Sequence, residues 1–149
     1  MDAAYRVTVI DQVSEELASA LAALVPQLSR STPAPAREQW QAIASAESTR
    51  LLVAESPDGV PVGMLTLAVF AIPTGVRAWI EDVVVDEDVR GGGIGALLVR
   101  RALNLAFESG ARTVDLTSRP SREAANRLYQ RLGFELRETN VYRFTAPQG

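Results

Sequence analysis

Arg90-Gly91-Gly92-Gly93-Ile94-Gly95-Ala96 is the stretch whose reading decides how this chain folds. It follows the β-branched run Val83-Val84-Val85 and the acidic residues Asp86 to Asp88. After it, Ile94, Leu97, Leu98, Ala102, Leu105 and Ala106 recur at helical spacing to about Ser109, with Arg100 and Arg101 off that stripe. Gly110 stands where a left-handed cap would end the helix. Strand, glycine turn and helix in this order gather main-chain N–H groups around one point. Glycine has no Cβ to block approach and reaches positive φ freely. The helix start adds unpaired amides and the positive end of its dipole. Such a turn predicts a pyrophosphate cradle that needs no lysine.

Upstream, Tyr5 to Ile10 reads as a short strand. Ser14 to about Val25 reads as a helix, with Leu17, Ala20, Leu21 and Leu24 on one face, Ser14 at its start and Pro26 ending it. Ser31 to Pro35 is a cluster of breakers, and Arg37 to about Ala46 is a second short helix carrying Trp40 and Ile43. Leu51 to Glu55 and Val62 to Phe70 form a hairpin across Ser56-Pro57-Asp58-Gly59. Pro73-Thr74-Gly75 turns the chain into the strand Ala78 to Val85. Downstream, Thr113 to Thr117 is a strand and Arg122 to Leu132 a helix ended by Gly133. Phe134 to Arg137 and Val141 to Phe144 are expected as closing strands. Hairpins first and a strand–helix–strand unit after them predict an α/β fold with a mixed sheet.

The composition narrows the chemistry. The chain has 149 residues, no Cys and no His, and all 15 basic residues are Arg. Disulfides, thiolate nucleophiles, histidine bases and the commonest metal ligands are excluded, and no metal site is expected. A Walker-type loop lacks its Lys, and so does a Schiff-base mechanism. The net charge of −3 counts against nucleic acid, whose binders concentrate basic residues on one face. No apolar run approaches the roughly 18 residues of a membrane span. The N-terminal residues show no secretory pattern, so a cytoplasmic protein without membrane partners is expected. Carboxylates, tyrosines, hydroxyls and the backbone are left for catalysis.

Two nucleotide signatures fit the glycine stretch. Gly91 to Ala96 satisfies G-x-G-x-x-A, with Asp115 about 20 residues on, as a dinucleotide fingerprint asks. That fingerprint should follow its strand directly, yet Asp86 to Arg90 intervene, and too little chain remains to complete an open parallel sheet. Arg90-x-x-Gly93-x-Gly95 instead resembles the R/Q-x-x-G-x-G/A signature of the GNAT superfamily of acetyl-CoA-dependent N-acyltransferases. Ile80-Glu81-Asp82-Val83-Val84-Val85 is similar to that family's fourth strand. Leu128-Tyr129-Gln130-Arg131-Leu132-Gly133-Phe134 is similar to its late helix, and the element order matches along nearly the whole chain.

The resemblance implies a single domain over residues 1–149, with a mostly antiparallel central sheet flanked by about four helices. It implies acetyl-CoA as cosubstrate. Its pantetheine arm would lie along the backbone of Val83, Val84 and Val85, where the fourth strand splays from the fifth. The pyrophosphate would sit on Gly91, Gly92, Gly93, Ile94, Gly95 and Ala96, with Arg90 shaping the loop. Tyr129 falls where many members place the general acid that protonates the departing thiolate, and a phenol with pKa about 10 suits that role. Many members carry Asn about seven residues before this Tyr. Here that position is Arg122, which could reach a CoA phosphate, and Asn126 lies on another part of the helix face.

Transfer to an amine also needs a base. With His and Cys absent, a carboxylate acting directly or through water is the expected base. The resemblance makes Glu81 the first candidate, because members often carry Glu in this stretch of the strand, and Asp82 is the second. A partly buried carboxylate is a stronger base near neutral pH. Alternation places Trp79, Glu81, Val83 and Val85 on one strand face and Ile80, Asp82 and Val84 on the other. Family analogy puts the acceptor, a small-molecule amine or a peptide, near residues 24–40 and Thr139-Asn140, with Trp40, Phe70 and Trp79 as apolar walls. A homodimer is common among members. The alternative reading is a non-catalytic acyl-CoA-binding sensor or interaction domain.

Overall fold

The computed structural model describes residues 4–148. The chain divides into two compact units, Met1–Thr117 and Ser118–Gly149. The first unit holds a five-stranded sheet in the order β1-β2-β3-β4-β5. Its strands are β1 (Arg6–Ile10), β2 (Thr49–Glu55), β3 (Pro61–Ile72), β4 (Gly75–Val85) and β5 (Val114–Asp115). All neighbours pair antiparallel except β4 with β5, which run parallel. Helices α1 (Glu15–Ala22), α2 (Arg37–Ser45) and α3 (Ile94–Glu108) complete the unit, and α4 (Glu123–Arg131) belongs to the second. The expected α/β class, mixed and mostly antiparallel sheet and four α-helices are all present.

Both faces of the sheet are covered, which is why β2 reads as a continuous apolar run rather than an alternation. Leu51, Val53, Met64 and Val84 join Ala18, Leu21 and Trp40 in one core cluster under α1 and α2. Leu52, Ala54, Leu65 and Leu67 are fully buried on the opposite face, the side where α3 packs on β2, β3 and β4. Gln41 of α2 ties this layer to the first strand's exit. Its Oε1 accepts from the Val13 amide at 2.8 Å, and its Nε2 donates to the Asp11 carbonyl at 3.0 Å.

The hairpin turn forms as its residues dictate. The Gly59 amide donates to the Ser56 carbonyl at 2.8 Å, and Gly59 takes φ +82°, which a side chain would resist. Several expectations need correction. The first helix stops at Ala22 rather than near Val25, and Pro26 lies within a separate 3-10 turn, Val25–Gln27, instead of ending the helix. Leu97 is exposed while Val99 is buried, so the apolar stripe of α3 is rotated from the expected one. Strand 113–117 shrinks to the two residues of β5.

Residues 134–148 form no strand, so Phe134 to Arg137 and Val141 to Phe144 are not the closing strands expected. A strand exists only when another pairs with it, and an isolated two-stranded hairpin is marginal in water. Leu136 and Phe144 stand 93% and 95% exposed, so their apolar character is not spent on a core. Among the described residues, no helix is long and apolar enough to cross a membrane.

Candidate functional site

The parallel pairing of β4 with β5 consists of Ala78 beside Val114 and Trp79 beside Asp115. From Ile80 onward β4 has no register partner on β5, so Val83, Val84 and Val85 lie on the stretch that runs beyond it. On its other side β4 carries a bulge. Met64 pairs with Val84 and Thr66 with Glu81, so Asp82 and Val83 together oppose Leu65. Asp82 takes φ +51°, and is the only non-glycine residue with positive φ among those described.

The bulge overturns the simple alternation. Ile80 pairs with Leu67, while Val84 pairs with Met64, whose side chain faces the opposite way along β3. Ile80 and Val84 are both buried, but on different faces of the sheet. Glu81 sits opposite Thr66, on the same face as Val84 rather than with Val83. It is exposed, not partly buried as expected of a base, and Asp82 is exposed as well. Asp82 does line a cavity together with Trp40, Met64 and Thr66. Of the three expected apolar walls, only Trp40 lines it; Phe70 is 41% exposed.

Beyond Val85 the chain is pinned before it reaches the glycines. The Asp86 amide donates to the Val62 carbonyl at 2.7 Å. Asp86 Oδ1 then accepts from the Asp88 amide at 3.1 Å, capping the 3-10 turn Glu87–Val89. The Glu87 amide donates to Gln27 Oε1 at 3.0 Å, which fastens this turn to the segment after α1. Arg90 folds back over the strand end, its Nε donating to the Val85 carbonyl at 3.2 Å.

Gly91 and Gly93 take φ +88° and +82°, and a Cβ built on either meets nothing within 4 Å. Leu97 is the first residue of α3 whose amide finds a backbone partner, the Gly93 carbonyl at 3.0 Å. Among the described residues, the amides from Gly91 to Ala96 donate to no protein group. Gly93 brings no side-chain cap, and no acidic residue stands in the helix's first turn. Several unpaired donors at the positive end of a fifteen-residue helix attract an anion, and the space above the two left-handed glycines leaves room for one.

Gly63 was not anticipated as part of this arrangement. A Cβ there would lie 3.0 Å from the Val84 carbonyl oxygen and 3.2 Å from Leu98 Cδ1, so its bareness lets β3, β4 and α3 close together. A glycine inside an otherwise apolar strand is the signal that could have found it. Gln27 gave no comparable sign.

In the second unit, Tyr129 of α4 is buried and meets Phe134 edge-on, with ring centroids 5.8 Å apart. Burial pushes its phenol above the ordinary value of 10, and the positive charge of Arg122 partly offsets that rise. The group therefore keeps its proton at neutral pH, as a proton donor must. Arg122 is exposed at the start of α4. Asn126 is already engaged, its Nδ2 donating to the Arg119 carbonyl at 2.9 Å, so it closes the turn leading into α4.

A family model for the Acetyltransferase (GNAT) family matches residues 14–134. An uncharacterized N-acetyltransferase of Methanocaldococcus jannaschii is 41% identical over 61 residues, which is 41% of this chain and 27% of that protein. The N-alpha-acetyltransferase MAK3 of Arabidopsis thaliana is 40% identical over 68 residues, 46% of this chain and 35% of that protein. The matched stretch thus spans only about a third of these relatives' own lengths. A solved structure from Agrobacterium tumefaciens str. C58, described as an acetyltransferase, superposes with a TM-score of 0.81 at 25% identity. It covers 95% of this chain and 99% of its own.

Proposed function

The chain belongs to the acetyltransferase (GNAT) family, and on that premise we propose that it transfers the acetyl group of acetyl-CoA to a primary amine. The observation that carries this reading is the row of unpaired amides from Gly91 to Ala96 at the start of α3. In the proposal they hold the diphosphate of the cosubstrate, and Arg90 holds the loop's shape through its bond to Val85. The backbone of Val83, Val84 and Val85, free of β5, offers strand-like hydrogen bonds to the pantetheine arm. Arg122 is assigned to a CoA phosphate. Asn126, whose side chain closes its own turn, is the weakest claimant to the coenzyme.

The chemistry follows from the groups the chain has. A neutral amine attacks the thioester carbonyl directly, the new C–N bond forms, and the C–S bond breaks. The amine's surplus proton passes to Glu81, to Asp82 or through water to solvent. Exposure of both carboxylates favours the water-relayed route over direct abstraction. The departing thiolate takes its proton from Tyr129, whose burial keeps the phenol protonated. A backbone N–H near Val83 is assigned to the developing oxyanion, where donors already in place contribute most.

Coenzyme A tests the reading directly. At a concentration 100 times its dissociation constant it should stabilise the fold by about 2.7 kcal/mol. That raises the melting temperature by roughly 5–10 °C for a chain of this size, while NAD at equal concentration should do nothing. No shift with coenzyme A, or an equal shift with NAD, defeats the proposal.

A further inference from the structure

The first unit contains a cavity of about 210 Å³ between the α1–α2 segment and the sheet. Leu28, Trp40, Ile43 and Met64 supply apolar wall, and Asp82 is the one ionisable side chain that lines it. The volume equals about seven water molecules and falls short of the about 300–1,000 Å³ typical of sites for drug-sized ligands. Asp82, which lines the cavity, belongs to the β4 stretch beyond Trp79 that has no register partner on β5.

The chemistry of this lining selects among amines. An ammonium group next to Asp82 meets one negative charge and no competing cation in the wall. A polycation would bring further charges against a wall whose other polar side chains include the hydroxyls of Ser29, Thr32 and Thr66, none of which carries a compensating charge. An apolar body gains from Leu28, Ile43 and Met64 about 25 cal/mol per Å² buried. Asp82 sits at the bulge with φ +51°, a left-handed conformation that Asp and Asn adopt more readily than other side chains.

We propose that this cavity receives the amine-bearing end of the acceptor and admits a compact, apolar, singly charged primary amine, with Asp82 pairing its ammonium before the proton is lost. The inference rests on the acetyl-transfer reading above and narrows the acceptor class that reading leaves open. It excludes polyamines and aminoglycosides as preferred acceptors.

The test measures coenzyme A release by thiol detection, to which a chain without cysteine adds no background. Phenethylamine and leucinamide should show kcat/KM at least tenfold above spermidine and kanamycin. Asp82→Asn keeps size and tolerates the left-handed backbone. It should raise KM for phenethylamine at least tenfold while leaving the thermal shift with coenzyme A intact. Ile43→Phe should penalise phenethylamine at least tenfold more than ethylamine by filling the cavity. Equal use of polycations, or an unchanged KM in Asp82→Asn, would overturn the assignment. Loss of the coenzyme shift in Asp82→Asn would overturn it too, by making Asp82 a support of the strand. A wild-type chain that shows no coenzyme shift at all removes the acetyl-transfer reading itself, an outcome distinct from these.

Discussion

Helices α1 and α3 begin in opposite ways. Ser14 caps α1 with its own hydroxyl, accepting from the Leu17 amide at 3.0 Å, and Glu15 and Glu16 place negative charge in the first turn. Helix α3 is nearly twice as long, yet starts from a bare left-handed glycine with neither cap nor acid. A capping side chain is worth about 1 kcal/mol, and an acidic residue in the first turn adds to it. The chain spends that stabilisation on α1 and forgoes it on α3. Helices α2 and α4 also lack a side-chain cap but carry Glu38 and Glu123 in their first turns, so among the described α-helices α3 alone starts with neither cap nor acid. The lesson is that such a start, behind a loop that keeps its amides free, is where an anion would complete the helix.

The most damaging way to break the contrast is to give α3 a cap of its own. Gly93→Asp puts a carboxylate among the free amides and a Cβ on a φ of +82°. The melting shift with coenzyme A should vanish, and a full shift in this variant would refute the loop's role.

Tyr129→Phe comes next and separates holding from chemistry. The coenzyme shift should survive while kcat falls by about 10²-fold. Because burial raises the phenol above 10, an alkaline decline in kcat due to Tyr129 belongs above pH 10. The same sign applies to folding. The unfolded tyrosine deprotonates near 10 while the folded one holds its proton, so its stabilising contribution is whole below pH 10 and is lost as pH climbs through the folded value. A kcat profile for the phenylalanine variant that matches wild type would remove Tyr129 from the reaction.

Gly63→Ala probes the seat of α3 rather than its start. With backbone oxygen 3.0 Å from the added methyl, a cost of about 1–3 kcal/mol is expected from overpacking. Chemical denaturation should show it, with some weakening of the coenzyme shift as Val84 moves.

The mildest change sharpens the comparison from the other side. Ser14→Ala should lower stability by about 1 kcal/mol and leave the coenzyme shift untouched. Any loss of that shift would mean that the two helix starts are not independent.

Local chemistry was readable where a few neighbouring residues settle the outcome among themselves. The Arg90–Ala96 turn, the helix after it, the Ser14 cap and the hairpin at Ser56–Gly59 all carry their instructions within a handful of positions. Each is governed by backbone sterics or by a side chain bonding its own neighbours. The Arg90–Ala96 turn carried the family resemblance that the family model bears out, and it is where we propose that the diphosphate sits.

Register, by contrast, depends on a partner strand. Alternation along Ala78–Val85 predicted faces that the bulge at Asp82 and Val83 reverses, because only pairing with β3 reveals which residue is extra. That reversal puts Glu81 on the face of Val84, and Asp82 lines a cavity whose other walls come from residues 25–43, about 40 to 60 positions away in sequence, and from Met64 and Thr66 of β3. The expected strands after Gly133 have the right residue types but no pairing partner in their own unit. Apolar content states what a segment could bury. Only the assembled chain decides against what, since hydrogen-bond partners in a sheet are supplied from far along the sequence.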